Sequence, residues 1–297
     1  MKFNKKSFNI IISIVLFLTL LSCTNDQTDQ NSNNSGASNF AEKTTPNVSY
    51  GTNSMQVYDI YLPAKRDRKT PVILMIHGGA WKAGQKEEFN SYINFIKNKW
   101  KEVAIVNMNY RLASNTNKIH DKEIMADITA VIADVIAKKD SYQISTNMGI
   151  MGASAGGQLA MIYAYKFNNF KNIKCVGNLY GPSIINDWEW YNSFNIWMGT
   201  NVSTILTEYV GQPWETTAYK EVSPFWNVTP ASQPTIIFHG TADPIVPLYQ
   251  SQWMSGKLKN LGVPNEYHEY PAFHGFDEAQ SSDVASKLVA FFKVYVK

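Results

Sequence analysis

Cysteine is nearly absent: Cys23 and Cys175 are the only two in 297 residues. That excludes a disulfide-stapled scaffold and every Cys-x-x-Cys metal or redox motif, so the fold must rest on its core. Histidine is scarce too, with five in the chain, and no His-Glu-x-x-His or clustered His/Asp pattern offers a metal site. No Gly-x-Gly-x-x-Gly follows the first strand pattern and no Gly-x-x-x-x-Gly-Lys occurs, so the usual dinucleotide and nucleoside-triphosphate loops are missing. No cofactor is expected. An excess of charge is also lacking. The formal +3 comes from Lys2, Lys5 and Lys6, and the other 24 basic residues face 24 acidic ones, which gives no support for nucleic-acid binding. No internal repeat is visible, and at this length an α/β chain is commonly one domain with a large core.

The longest apolar run, Ile10 to Leu21, spans twelve residues, too short for a comfortable membrane span and the right size for the apolar region of a secretory signal. Leu20-Leu-Ser-Cys23 after it resembles a bacterial lipoprotein cleavage box. Residues 1–22 are thus expected to be a signal peptide, with a lipid anchor on Cys23 holding the protein to a bacterial membrane in the cell envelope. Residues 23–47, rich in Asn, Ser, Thr and Asp, read as a flexible tether, and 48–297 as the catalytic domain.

What remains alternates strands and helices. "VYDIYLP" from Val57 opens the series, followed by strand patterns at 71–76, 103–108, 149–152, 175–179 and 235–238. Between them lie helical patterns, clearest where Ile124, Ile128, Val131 and Val135 fall on one helix face. Such alternation predicts an α/β fold: a mostly parallel sheet covered on both faces, with its site at the carboxyl ends of the strands. The stretch 181–226 breaks the rhythm and carries five of the eight tryptophans, Trp188, Trp190, Trp197, Trp214 and Trp226. It reads as a cap over the strand ends whose aromatics either line a pocket or pack the cap down.

Chemistry gathers around Gly152-Ala-Ser154-Ala-Gly156. The pentapeptide says little alone, but it follows a strand pattern and opens a helix pattern, as a nucleophile held on a sharp turn requires. A serine hydroxyl needs a base in contact and a group to orient that base. His274, on a loop after the strand pattern "NEYHEYP", suits the base; His268 reads as structural, His120 as a solvated helix start, His77 as fixing its loop, and His239 as either backing the site residues or structural. Asp243 follows a strand end between the serine and the histidine, which favours it as the acid over Asp187 in the cap and Asp277 beyond the histidine. "HGGAW", after the strand pattern "PVILMI", offers the N–H groups of Gly79 and Ala80 for an oxyanion, and Ala155 offers a third.

Together "HGGAW", "NYRLA" at 109–113, "GASAGGQLA", "HGTADPIVP" and "FHGF" resemble the esterase/lipase group of α/β-hydrolases related to hormone-sensitive lipase. "VYDIYLP", "HGGAWKAGQK" and "VSPFWNV" are similar more narrowly to bacterial feruloyl and acetyl-xylan esterases and to kynurenine formamidase-like enzymes. The resemblance implies an α/β-hydrolase fold, cofactor-free ester hydrolysis by Ser154, His274 and Asp243, and a small-molecule or oligosaccharide ester as substrate. Ala80 departs from the pattern, since many relatives have a third glycine there. Amide hydrolysis of the arylformamidase type, a peptidase, and a non-catalytic binding protein on the same fold are the competing readings.

Overall fold

The computed structural model describes residues 39–195 and 198–297. Residues 1–38, with the expected signal segment and Cys23, and Trp197 lie outside them. Eight strands form the central sheet: β1 (Lys43–Ser49), β2 (Val57–Leu62), β3 (Val72–Ile76), β4 (Ala104–Met108), β5 (Met148–Ala153), β6 (Ile173–Leu179), β7 (Thr235–Gly240) and β8 (Asn265–Tyr270). Their spatial order is β1-β2-β4-β3-β5-β6-β7-β8. β1 and β2 pair antiparallel at one edge, and every pairing from β4 to β8 is parallel.

One stretch departs from the sequence reading. β1 begins at Lys43, inside the stretch 23–47 read as tether. Its residues are mostly exposed and polar, so no buried alternation marks them, yet their backbones pair with β2 from Lys43 opposite Leu62 to Ser49 opposite Val57. An edge strand needs only one hydrogen-bonded neighbour and is commonly polar.

The two sheet faces are sorted by the two-residue period of the strands. In β3, Val72, Leu74 and Ile76 point into one apolar cluster while Ile73 and Met75 point into the other. The first face is covered by α2 (Asp121–Ala137), α3 (Ala155–Ile162) and α5 (Leu248–Asn260), which supply Ile128, Leu159 and Met254 to that cluster. The second is covered by α1 (Asn90–Lys99) and α6 (Glu278–Tyr295), which supply Ile96 and Phe292. Because both faces are buried, the central strands are mostly apolar. Cys175 lies in that buried layer, and desolvation pushes its thiol well above its ordinary value.

Among its described residues, the segment 181–226 holds the helices Trp188–Tyr191, α4 (Val202–Val210) and Thr216–Glu221, the start of a fourth at Pro224–Asn227, and a two-stranded ribbon of Phe194–Asn195 with Thr200–Asn201. It is added between β6 and β7, at the carboxyl ends of the parallel strands.

Candidate active site

Ser154 sits between β5 and α3 with φ 53° and ψ −123°, a backbone conformation disfavoured for a residue with a Cβ. The turn is possible because its flanks are bare. A Cβ on Gly152 would lie 2.1 Å from the Gly156 carbonyl oxygen, and one on Gly156 would lie 2.0 Å from that of Ile76. Side chains at either position would push strand and helix apart, so the serine stands clear at the strand end, where it lines a cavity.

His274 follows β8 and reaches the same point. Its Nε2 lies 2.8 Å from Ser154 Oγ, and its Nδ1 lies 2.7 Å from Asp243 Oδ2. An ionised carboxylate only accepts, so Nδ1 carries the ring proton and Nε2 accepts from the serine hydroxyl. Asp243, on the loop after β7, is fully buried. Its Oδ1 accepts the backbone N–H groups of Ile245 and Val246 at 2.8 and 3.0 Å. Burial works to raise this carboxyl, but hydrogen bonds from His239 and His274, the charge of His274 and the Ile245 N–H outweigh it and hold it well below the usual carboxylate range.

His239 is a second partner of the same oxygen. Its Nε2 faces both Asp243 Oδ2 at 3.2 Å and the Val246 carbonyl at 3.0 Å, and its Nδ1 lies 2.7 Å from Ser251 Oγ. With two acceptors at Nε2, that nitrogen holds the proton and Nδ1 accepts from Ser251. Asp243 is thereby fixed from both sides.

The other carboxylates and histidines are occupied elsewhere. Asp187 caps the helix Trp188–Tyr191 by accepting from the Trp190 N–H at 3.1 Å, and it also bonds the Tyr249 hydroxyl. Asp277 caps α6 through the Gln280 N–H at 2.8 Å. His120 precedes α2 and meets the Glu208 carbonyl at 2.8 Å, and His268 lies on β8 beside Glu266 at 3.2 Å. His77 is fully buried, stacked on Tyr110 with ring centroids 4.3 Å apart. Desolvation, the largest influence, pushes it down to about 4.

The loop after β3 carries three consecutive residues with positive φ, Gly79 at 96°, Ala80 at 51° and Trp81 at 60°. Gly79, Ala80 and Ala155 line the cavity beside Ser154, and among the described residues nothing accepts a hydrogen bond from their N–H groups. Three unpaired N–H groups thus belong to residues that line the cavity with Ser154. Ala80 in place of glycine keeps the left-handed backbone at the expense of a crowded Cβ. Trp81 holds the loop: its ring stacks on Tyr209 at 4.3 Å and its Nε1–H donates to Gln158 Oε1 at 2.9 Å.

Gln158 went unremarked in the sequence reading. Fully buried on α3 four residues after the nucleophile, it also accepts from the Tyr209 hydroxyl at 3.2 Å and donates to the Val222 carbonyl at 2.7 Å. It joins the serine helix, the oxyanion loop and the cap. "NYRLA" braces the same loop from below, with the Tyr110 hydroxyl at 3.2 Å from the Gly78 carbonyl and the Ala113 N–H at 2.8 Å from that of Trp81. Arg111 is fixed in turn by Asp127 at 2.7 Å. Only a polar residue in an otherwise small and apolar helix start marked Gln158, and spacing cannot say what such a residue meets.

The cavity over Ser154 is about 380 Å³, the size of a small-molecule site. Its roof is the cap, from which Trp190, Met198, Val202, Ile205 and Leu206 descend. No group of three or more His, Cys, Asp or Glu among the described residues is placed to hold a metal ion.

A strand-turn-helix serine at the carboxyl end of a mostly parallel sheet of this order is that of an α/β-hydrolase. Residues 58–258 match the BD-FAE family, and the chain belongs to that family. It is 26% identical over 247 residues to esterase LipQ of Mycobacterium tuberculosis, covering 75% of this chain and 54% of that protein. It is 28% identical over 118 residues to the kynurenine formamidase of Salmo salar, 40% of this chain and 37% of that one. The chain thus spans about half the length of LipQ and less of the formamidase. Among solved structures, a truncated carbohydrate esterase from gut microbiota superposes with a TM-score of 0.71 at 21% identity, over 87% of this chain and 98% of that one. At that identity the likeness speaks for the fold.

Proposed function

We propose that the protein is a serine carboxylesterase that works through Ser154, His274 and Asp243. The observation that carries this reading is the unbroken row from Ser154 Oγ to His274 Nε2 and from Nδ1 to Asp243 Oδ2, at 2.8 and 2.7 Å, opening into the cavity under the cap. Ser154 Oγ attacks the ester carbonyl while His274 Nε2 takes its proton. Asp243 stabilises the imidazolium so formed, and the N–H groups of Gly79, Ala80 and Ala155 meet the charge on the former carbonyl oxygen. The intermediate collapses as His274 protonates the departing alcohol oxygen. Water then attacks the acyl carbon as His274 takes its proton, and His274 returns that proton to Ser154 Oγ as the bond to the serine breaks and the acid leaves.

The substrate class follows the family likeness and the cap: acetylated or feruloylated polysaccharide fragments, deacylated at the cell envelope by a protein anchored through Cys23. Support for the anchor is the signal-like start of the sequence. A second reading is hydrolysis of an aryl formamide, favoured by the likeness to the formamidase.

The test is release of acetate and ferulate from acetylated xylan and feruloylated oligosaccharide, with p-nitrophenyl acetate and N-formylkynurenine alongside, for wild type and Ser154→Ala. Serine-dependent release from the saccharide esters is expected, with loss of on the order of 10⁴ or more in kcat for Ser154→Ala. Serine-dependent turnover of the formamide alone would move the protein to the second reading, and no turnover of any would refute both.

A further inference from the structure

One carboxyl side chain lines the cavity with no ion-pair partner among the described residues. Glu88, on the short turn after the oxyanion loop, is exposed and lines the same cavity as Ser154 and His274. Its Oε1 accepts the Gln85 N–H at 3.2 Å. Its neighbour Lys86 is turned away, onto Asp59 at 3.1 Å and onto Glu87. Among the described residues that line the cavity, Glu88 and His274 are the only acidic or basic ones.

Glu88 lines one cavity with His274 and Tyr180. Tyr180 packs edge-on against the His274 ring at 4.8 Å between centroids, and its hydroxyl is raised by burial first and then by the charges of Tyr92, Asp243 and Glu88. His274 must hand its proton to the departing alcohol, so the alcohol half of an ester lies toward this end. The apolar cap residues Met198, Val202 and Leu206 come from another part of the chain.

We propose that Glu88 is a specificity-determining residue that selects alcohols rich in hydroxyl groups and free of negative charge, a neutral saccharide rather than a uronic acid. A carboxylate accepts hydrogen bonds from neighbouring hydroxyls and repels an anion in a cavity holding no compensating cation. This rests on the esterase reading above and names the alcohol class of that same site.

The experiment measures kcat/KM for three matched aryl esters, 4-trimethylammoniophenyl acetate, phenyl acetate and 4-acetoxybenzoate, with wild type and Glu88→Gln. Comparing the cation-to-anion ratio between the two proteins cancels the intrinsic reactivity of each ester, and the amide keeps an acceptor for the Gln85 N–H. The ratio is expected to fall about tenfold in Glu88→Gln, the size of one screened charge pair across a site of these dimensions, and the difference to shrink with added salt. Wild type is also expected to prefer acetylated xylo-oligosaccharide over acetylated oligoglucuronate, and Glu88→Lys to reverse the charge preference. Serine-dependent turnover with the same ratio in both proteins overturns the inference and leaves the esterase reading standing. No turnover of any ester that Ser154→Ala abolishes overturns both.

Discussion

Beside Ser154, the cavity floor is tied by directed hydrogen bonds, as where both oxygens of Asp243 are taken by named donors. Above it, residues 181–226 hold together largely through rings: Tyr191, Trp188 and Tyr219 all pack on Trp214, at 4.7 to 5.0 Å between centroids. The floor tolerates little, because each hydrogen bond fixes a direction. Ring packing in the roof sets shape and leaves direction loose. The directed contacts thus lie in the strand-end loops, and the insertion shapes the space above them.

The sharpest way to break this contrast is to exchange an acid in each region. Asp243→Asn leaves the geometry almost unchanged but removes the charge that fixes the His274 tautomer, and kcat is expected to fall by on the order of 10⁴. Asp187→Asn, in the roof, keeps a side-chain acceptor for the Trp190 N–H and is expected to fall by less than about threefold, since a helix cap contributes about 1 kcal/mol to stability and nothing to proton transfer. Steady-state kinetics on p-nitrophenyl acetate decide it. A crippled Asp187→Asn beside an active Asp243→Asn would place the acid in the cap.

A second difference lies in pH. His77, under the oxyanion loop, is fully buried and pushed down to about 4 by desolvation, against 6.5 for the free residue. The unfolded chain takes up this proton before the folded one does. The stabilisation by neutral His77 is therefore complete above pH 6.5, is lost as pH falls from there toward 4, and changes no further below. The full swing is about 3 kcal/mol. Thermal melts between pH 7.5 and 4 are expected to show this slope in wild type and a shallower one in His77→Phe; equal slopes would show that the burial of His77 is not what governs acid stability.

Floor and roof meet at Gln158, and cutting it tests whether they are independent. Gln158→Leu fills the same space but strands the Trp81 Nε1–H and the Val222 carbonyl, each about 1–3 kcal/mol when left unsatisfied in the interior. The oxyanion loop then loses its tie to α3. A fall in kcat of roughly tenfold or more, with a lower Tm, is expected. A drop in Tm with kcat unchanged would mean that the loop keeps its shape without the tie.

What could be read in the sequence follows the same division. The buried strands and α2 were legible because burial on two faces, or on one stripe, writes its own period into the residues. Ser154, His274 and Asp243 were legible because each stands just after a strand pattern, in an order the chain itself displays. β1 was not, since an exposed edge strand such as Lys43–Ser49 carries no apolar pattern and is made by backbone pairing alone. Gln158 and Glu88 were not either. Their roles depend on residues far away in sequence, Trp81 and Val222 for one and Ser154 and His274 across the cavity for the other.

Within the roof, the tryptophans divide by what they face, and two neighbours give the finest test. Trp190 lines the cavity and anchors its Nε1–H on the Ile245 carbonyl at 3.0 Å. Trp188, two residues earlier, is exposed and lies against Tyr191 and Trp214. Trp190→Ala removes a wall of the binding space, so KM for a large aromatic acyl group should rise by about tenfold relative to acetyl, the worth of one lost aromatic contact. Trp188→Ala removes ring packing on the outer side, and a loss of at most about 1 kcal/mol in stability is expected, with the feruloyl-to-acetyl preference within about twofold of wild type. Equal shifts in preference from both variants would show that the cap moves as one unit, with the packing of its outer rings setting the shape of the cavity below.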